Sequence, residues 1–151
     1  MRYVLIDRFL ELKRGERARA VKCVTLGEPF LQELDGYPSA LVLESMLQVG
    51  GALARVSGPA GARTVLGKVD RADFPSVAAP GDRIEVEVEL ILSRPEGTLC
   101  KASATVEGRV VGTAEFMIVY LPPDMAPPPT PEEEERRRRL MRALKVPLEE
   151  V

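Results

Sequence analysis

Residues 38–56, PSALVLESMLQVGGALARV, constrain this chain more than any other stretch. Pro38 suits a helix start. The apolar residues that follow fall around most of the helix circumference rather than along one stripe. A helix of that kind has to be enclosed by other structure. Glu44 stands in the middle of it. A carboxylate in such a place is costly unless it is paired, hydrogen-bonded or used. The chain contains no histidine that could share acid–base work with it.

The flanking segments predict what does the enclosing. Residues 3–12 (YVLIDRFLEL) are rich in strand formers and turn at Arg14-Gly15 into residues 17–25, where small or apolar residues alternate with basic ones, so the two read as a hairpin. After the helix, RTVLGKVDRADF predicts a third strand that stops before AAPGD. From Asp82 to Leu92, Glu85, Glu87 and Glu89 share one face, and Ile84, Val86, Val88 and Leu90 share the other. Arg94-Pro95-Glu96-Gly97 is a turn signal, and two further strands meet at Glu107-Gly108. The order is therefore strand, strand, helix, then four strands. One enclosed helix and one long antiparallel sheet are reconciled if the sheet curls around the helix. That is an α+β architecture, the hotdog fold.

At 151 residues the chain has room for one domain with a core. The expected division is a body over 1–122, a proline-rich linker over 123–131 and a charged helical tail over 132–151. LPPDMAPPPTP reads as an extended spacer. In TPEEEERRRRLMRALK, Thr130 is the expected cap, Pro131 the first helical residue and Glu133 the partner of a capping box. Glu-to-Arg pairs four apart run from Glu132–Arg136 to Glu135–Arg139, each stabilising by about 0.2–0.5 kcal/mol. Leu140, Met141 and Leu144 form a small apolar edge. The tail is either a docking arm for another protein or an appendage resting loosely on its own body, and the second is the expectation.

Composition excludes several function classes. A net charge of −2, from 21 basic and 23 acidic residues, gives no electrostatic reason to expect nucleic acid or an anionic membrane as partner. The RRRR run is offset by the glutamates beside it. No apolar run reaches the length of a membrane span, and the first residues lack the regions of a signal peptide, so the expected location is the cytoplasm. Cys23 and Cys100, in such a compartment, read as buried thiols rather than a disulfide. Two cysteines without histidine cannot build a structural zinc site. No metal and no cofactor are expected.

Three motifs, in order, resemble the 3-hydroxyacyl-[acyl carrier protein] dehydratases of fatty acid synthesis, of the short single-hotdog type. YVLIDRFLELKRGERARAVKCVTLGEPFLQ follows that family's opening, LVLESMLQVGG its central-helix signature, and FPSVAAPGDRIEVEVEL its Pro-Gly-Asp segment. The resemblance covers about residues 2 to 121 and none of the tail. It implies a dimer whose sheets join edge to edge and whose helices pack together, or a higher assembly of such dimers.

One departure bears on chemistry. The family carries a His-Phe-Pro-Gly loop before the helix and a Met-Pro-Gly that starts it. Counting back from Glu44 puts Pro38 and Ser39 at the latter Pro-Gly. Counting forward from Glu28-Pro29-Phe30 puts Leu34 where the histidine would stand. The segment that presents the histidine is shortened. In the family that histidine is the base that takes the proton alpha to the thioester carbonyl, while the glutamate from the partner subunit handles the leaving hydroxyl. Loss of a positioned base costs about 10²–10⁴-fold in rate.

What the resemblance leaves in place is Glu44 as the candidate catalytic residue. Gln48, one turn on, could hydrogen-bond it or a thioester. The Ser39 N–H, at the helix start, matches the donor to the thioester carbonyl oxygen. Asp7 and Arg8 read as architecture. The expected partner is an acyl carrier protein or acyl-CoA thioester. Three functions are open: a thioester binder without ordinary dehydration, a Glu44-dependent thioesterase, and the non-catalytic half of a mixed dimer with a histidine-bearing paralogue. A structural carboxylate at a dimer interface is the alternative for Glu44, and a scaffold role the alternative for the whole chain.

Overall fold

The computed structural model describes residues 3–32, 35–122, 124–127 and 129–146. Its elements are β1 (Arg8–Lys13), β2 (Arg17–Cys23), a short 3-10 turn (Pro29–Gln32), α1 (Ser39–Ser57), β3 (Arg63–Asp73), β4 (Arg83–Arg94), β5 (Gly97–Val106), β6 (Arg109–Leu121) and α2 (Pro131–Ala143). The six strands form one sheet in the order β1-β2-β4-β5-β6-β3, and every neighbouring pair is antiparallel. The sheet wraps one side of α1. This is the hotdog arrangement that the sequence pattern predicts.

Strand alternation sets the layers. On β4, Ile84, Val86 and Val88 are buried under the helix, while Glu85 and Glu87 turn outward to ion pairs with Arg19 of β2 at 3.3 and 3.4 Å. At the β5–β6 hairpin, Glu107 and Gly108 both have positive φ, of 48° and 81°. That backbone matches the twist of the flanking strands and explains the Gly at the second position.

The helix lies flush on the sheet. Val42, Met46, Val49 and Leu53 are buried, and each such side chain stabilises by about 1.5–3 kcal/mol when removed from water. A Cβ on Gly50 would stand 2.6 Å from the Phe116 ring of β6, so glycine is what permits this approach. Further along, the buried Tyr120 O–H donates to the Ala54 carbonyl at 3.0 Å.

Three expectations are corrected. The first strand starts at Arg8, not Tyr3, because part of residues 3–7 is bonded to the helix instead of the sheet: the Leu5 N–H donates to Gln48 Oε1 at 3.0 Å and the Tyr3 carbonyl accepts from Gln48 Nε2 at 2.9 Å. Cys100 is buried in the core as expected, but Cys23, the last residue of β2, is exposed. The third concerns enclosure. A single chain buries only one side of α1. Val42, Ser45, Met46, Val49, Gly50, Leu53 and Ala54 are buried, whereas Ala40 and Glu44 are exposed, and Leu43, Leu47 and Gly51 only half-buried. These five lie along one line of the helix.

The tail folds back onto the body. The capping box is present: Thr130 Oγ1 accepts from the Glu133 N–H at 3.2 Å, and Glu133 Oε2 accepts from the Thr130 N–H at 2.8 Å. Glu133 also pairs with Arg63 at 3.1 Å. Past the helix, the Leu144 carbonyl accepts the Phe9 N–H of β1 at 2.9 Å, and Val146 is buried in the core. Of the expected apolar edge, Met141 and Leu144 pack against that core.

Candidate functional site

The first half of α1 carries all three expected site residues, and the backbone explains their placement. Pro38 caps the helix with φ −60° and ψ 135°, an extended conformation proline adopts readily, and no side chain caps the first turn. The Ser39 N–H, at the first helical position, is one of the donors that a helix leaves without an intrahelical acceptor. Ser39 is exposed. Leu34 lies outside the described residues.

Glu44 and Gln48 are brought together, four residues apart on one helix, with Gln48 Nε2 donating to Glu44 Oε1 at 3.1 Å. The same amide group serves the N-terminal segment through its bonds to Leu5 and Tyr3. Gln48 is thus the joint between residues 3–5 and the helix, and it fixes the side on which the Glu44 carboxylate stands. Glu44 itself faces outward within one chain, on the side that the sheet does not cover. One of its oxygens is held; the remaining acceptor capacity faces solvent, where it can take a proton or orient a water. Ser45, the next residue, turns the other way: it is buried, and its hydroxyl donates to the Leu41 carbonyl at 2.8 Å.

Sequence reasoning missed a second polar group on the far side of Ser45. Lys22 is only 8% exposed and forms an ion pair with Glu28 at 2.7 Å, with Asp7 at 3.9 Å. Its ammonium lies 5.9 Å from the centroid of the Tyr37 ring, close enough for a cation–π attraction. Burial, then the charge of Glu28, push the Tyr37 phenol well above its ordinary range, while a hydrogen bond with Ser45 pulls it the other way. The signal was present in the alternation: period two puts Lys22 on the same inward face as Ala18 and Ala20, both fully buried. Asp7 holds this corner by accepting the Cys23 N–H at 2.6 Å. Among the described residues, no group of three or more Asp, Glu, Cys or His could hold a metal ion. No helix there is long and apolar enough to cross a membrane.

The fold alone assigns no family, and the family match does. The model of the FabA-like domain matches residues 1–115. The chain belongs to the FabA-like family.

Relatives within it are 3-hydroxyacyl-[acyl-carrier-protein] dehydratases FabZ. That of Syntrophotalea carbinolica is 34% identical over 126 residues, covering 80% of this chain and 86% of the relative. That of Desulforamulus reducens is 39% identical over 123 residues, covering 76% and 84%. Solved structures share the FabA-like chain's fold at low identity. A Streptococcus mutans protein bound to acetyl CoA superposes with a TM-score of 0.69 at 11% identity, over 80% of this chain and 93% of that one. The dehydratase heterocomplex ApeI:P of Xenorhabdus doucetiae gives 0.65 at 14% identity, over 89% of each chain. The FabA-like match ends inside β6, so the end of that strand and the whole tail lie beyond it.

Proposed function

We propose that this chain binds acyl thioesters, carried by an acyl carrier protein or coenzyme A, in fatty acid or polyketide-type metabolism, and that alone it does not perform ordinary 3-hydroxyacyl dehydration. One observation carries the reading: a chain of the FabA-like family pairs Glu44 with Gln48 on its central helix, yet its sequence holds no histidine. Dehydration needs a base for the alpha proton and an acid for the hydroxyl. Glu44 can supply one of them. In this reading the Ser39 N–H, at the positive end of the helix, donates to the thioester carbonyl, an interaction that needs no histidine.

The uncovered line of α1 supports a second element of the reading, a partner across this face. Ala40, Leu43, Leu47 and Gly51 flank Glu44 with small or apolar surface, and β3 ends the sheet with an unpaired edge on which Val65 and Leu66 are 40% and 46% exposed. A copy of the same chain fits the symmetric arrangement of a homodimer. A histidine-bearing paralogue fits the same surface, and in that mixed dimer Glu44 completes the partner's site.

The deciding experiment offers the purified chain a panel of acyl and 3-hydroxyacyl thioesters and follows thiol release and enoyl formation together. The proposal expects saturable thioester binding with neither product, and enoyl formation once a histidine-bearing paralogue is added. Thiol release abolished by Glu44→Gln assigns a thioesterase instead. Enoyl formation by the chain alone overturns the proposal.

A further inference from the structure

The tail does more than rest on the body. Between them lies a half-open cleft of about 910 Å³, at the upper end of the range of small-molecule sites. Five arginines from four elements line it: Arg14 at the β1–β2 turn, Arg55 of α1, Arg63 of β3, and Arg136 and Arg137 of α2. Among the described residues the acidic ones in the lining are Glu133 and Glu134; the first pairs with Arg63, and Arg55 donates to the Thr64 hydroxyl at 3.4 Å. Arg136 is exposed and Arg137 half-buried, and both line the cleft. Much of the rest of the wall is apolar, with Leu12, Val56, Leu121, Met125 and Met141.

We propose that this cleft binds an anionic amphiphile, an apolar chain ending in a carboxylate or phosphate. Arg136 and Arg137 take the head, since a guanidinium matches either anion with paired N–H donors. The leucine, valine and methionine wall takes the chain, the two methionines adapting to its length. The site is distinct from the Glu44 region. Arg55 lies about three turns along α1 from Glu44, roughly 16 Å at 1.5 Å per residue. Much of the lining, from Leu121 to Met141, lies past residue 115, where the family match stops, so this cleft is an addition to the family body. It does not rest on the thioester reading.

Isothermal titration of the full chain tests the proposal, with decanoate, decyl phosphate, decanol and inorganic phosphate as probes below any micelle concentration. Decanoate or decyl phosphate is expected to bind at least about tenfold more tightly than decanol and inorganic phosphate, the loss of one charge-assisted hydrogen bond being worth that much. The stronger of the two anions identifies the head group. Arg137→Gln should weaken binding by about the same factor, with Arg136→Gln as a second variant should the first lose its helical circular dichroism signal. Glu44→Gln should leave the affinity unchanged. Equal binding of decanol, no binding of either anion, full affinity in both arginine variants, or a loss of affinity in Glu44→Gln overturns the proposal.

Discussion

The two sides of α1 are built from the same residue types and meet different fates. One side, with Val42, Met46, Val49 and Leu53, is pressed against the sheet and buried. The other, with Ala40, Leu43, Leu47 and Gly51 around Glu44, is left open by the chain's own fold. The adjacent glycines divide along the same line. A Cβ on Gly50 would strike Phe116, whereas one on Gly51 would meet nothing within 4 Å. Hydrophobic residues thus stand on both sides of one helix, and the chain's own fold covers only one of them.

The buried side should break hardest. Met46→Ala, at a fully buried position, is expected to cost about 2–5 kcal/mol in denaturant unfolding. The sheet beneath can be probed with pH. Burial pushes the Cys100 thiol up to about 12 from an ordinary 9.0. The folded state therefore keeps a proton that the unfolded chain releases, so this contribution is complete below pH 9 and is lost as the pH rises toward 12. Thermal melts should fall through that window, and Cys100→Ala should flatten the fall. Exposed Cys23 should react with a thiol reagent under native conditions while Cys100 stays protected.

Smaller effects sharpen the contrast. Gly50→Ala should destabilise by about 1–3 kcal/mol through overpacking on Phe116. Gly51→Ala should raise the stability of a monomer by up to about 1 kcal/mol through helix propensity. If a second helix packs on that side, the same change lowers the mass observed by light scattering at a given concentration. A stabilised variant of unchanged mass would remove the open side as a contact surface. Glu44→Gln, an exposed change, should shift stability by less than about 0.5 kcal/mol, so its effect would be read in ligand binding or turnover.

This contrast also marks where the sequence stops being readable. Strand order along the chain, the Glu107-Gly108 turn, the helix bounds and the Thr130–Glu133 cap are local matters of period and turn chemistry, and residues alone predict them. Enclosure is not local. Apolar spacing says which side of a helix a residue occupies, but not whether its own sheet or another chain covers it, so the residues alone do not say what surrounds Glu44. The role of Gln48 was hidden for a related reason, since its partners at Tyr3 and Leu5 are distant in sequence and bond through backbone atoms that carry no residue signature. Lys22 was legible in principle, as a charge on the inward phase of a strand.

The clasp of the tail on β1 has a consequence for how large an assembly can grow. A sheet with two open edges can add neighbours indefinitely, as fibres do. Here the Leu144 carbonyl and the buried Val146 stopper the β1 end, and β3 is the remaining edge. Joining through a single edge would be self-terminating: were two such sheets to meet at β3, neither would offer a further sheet terminus.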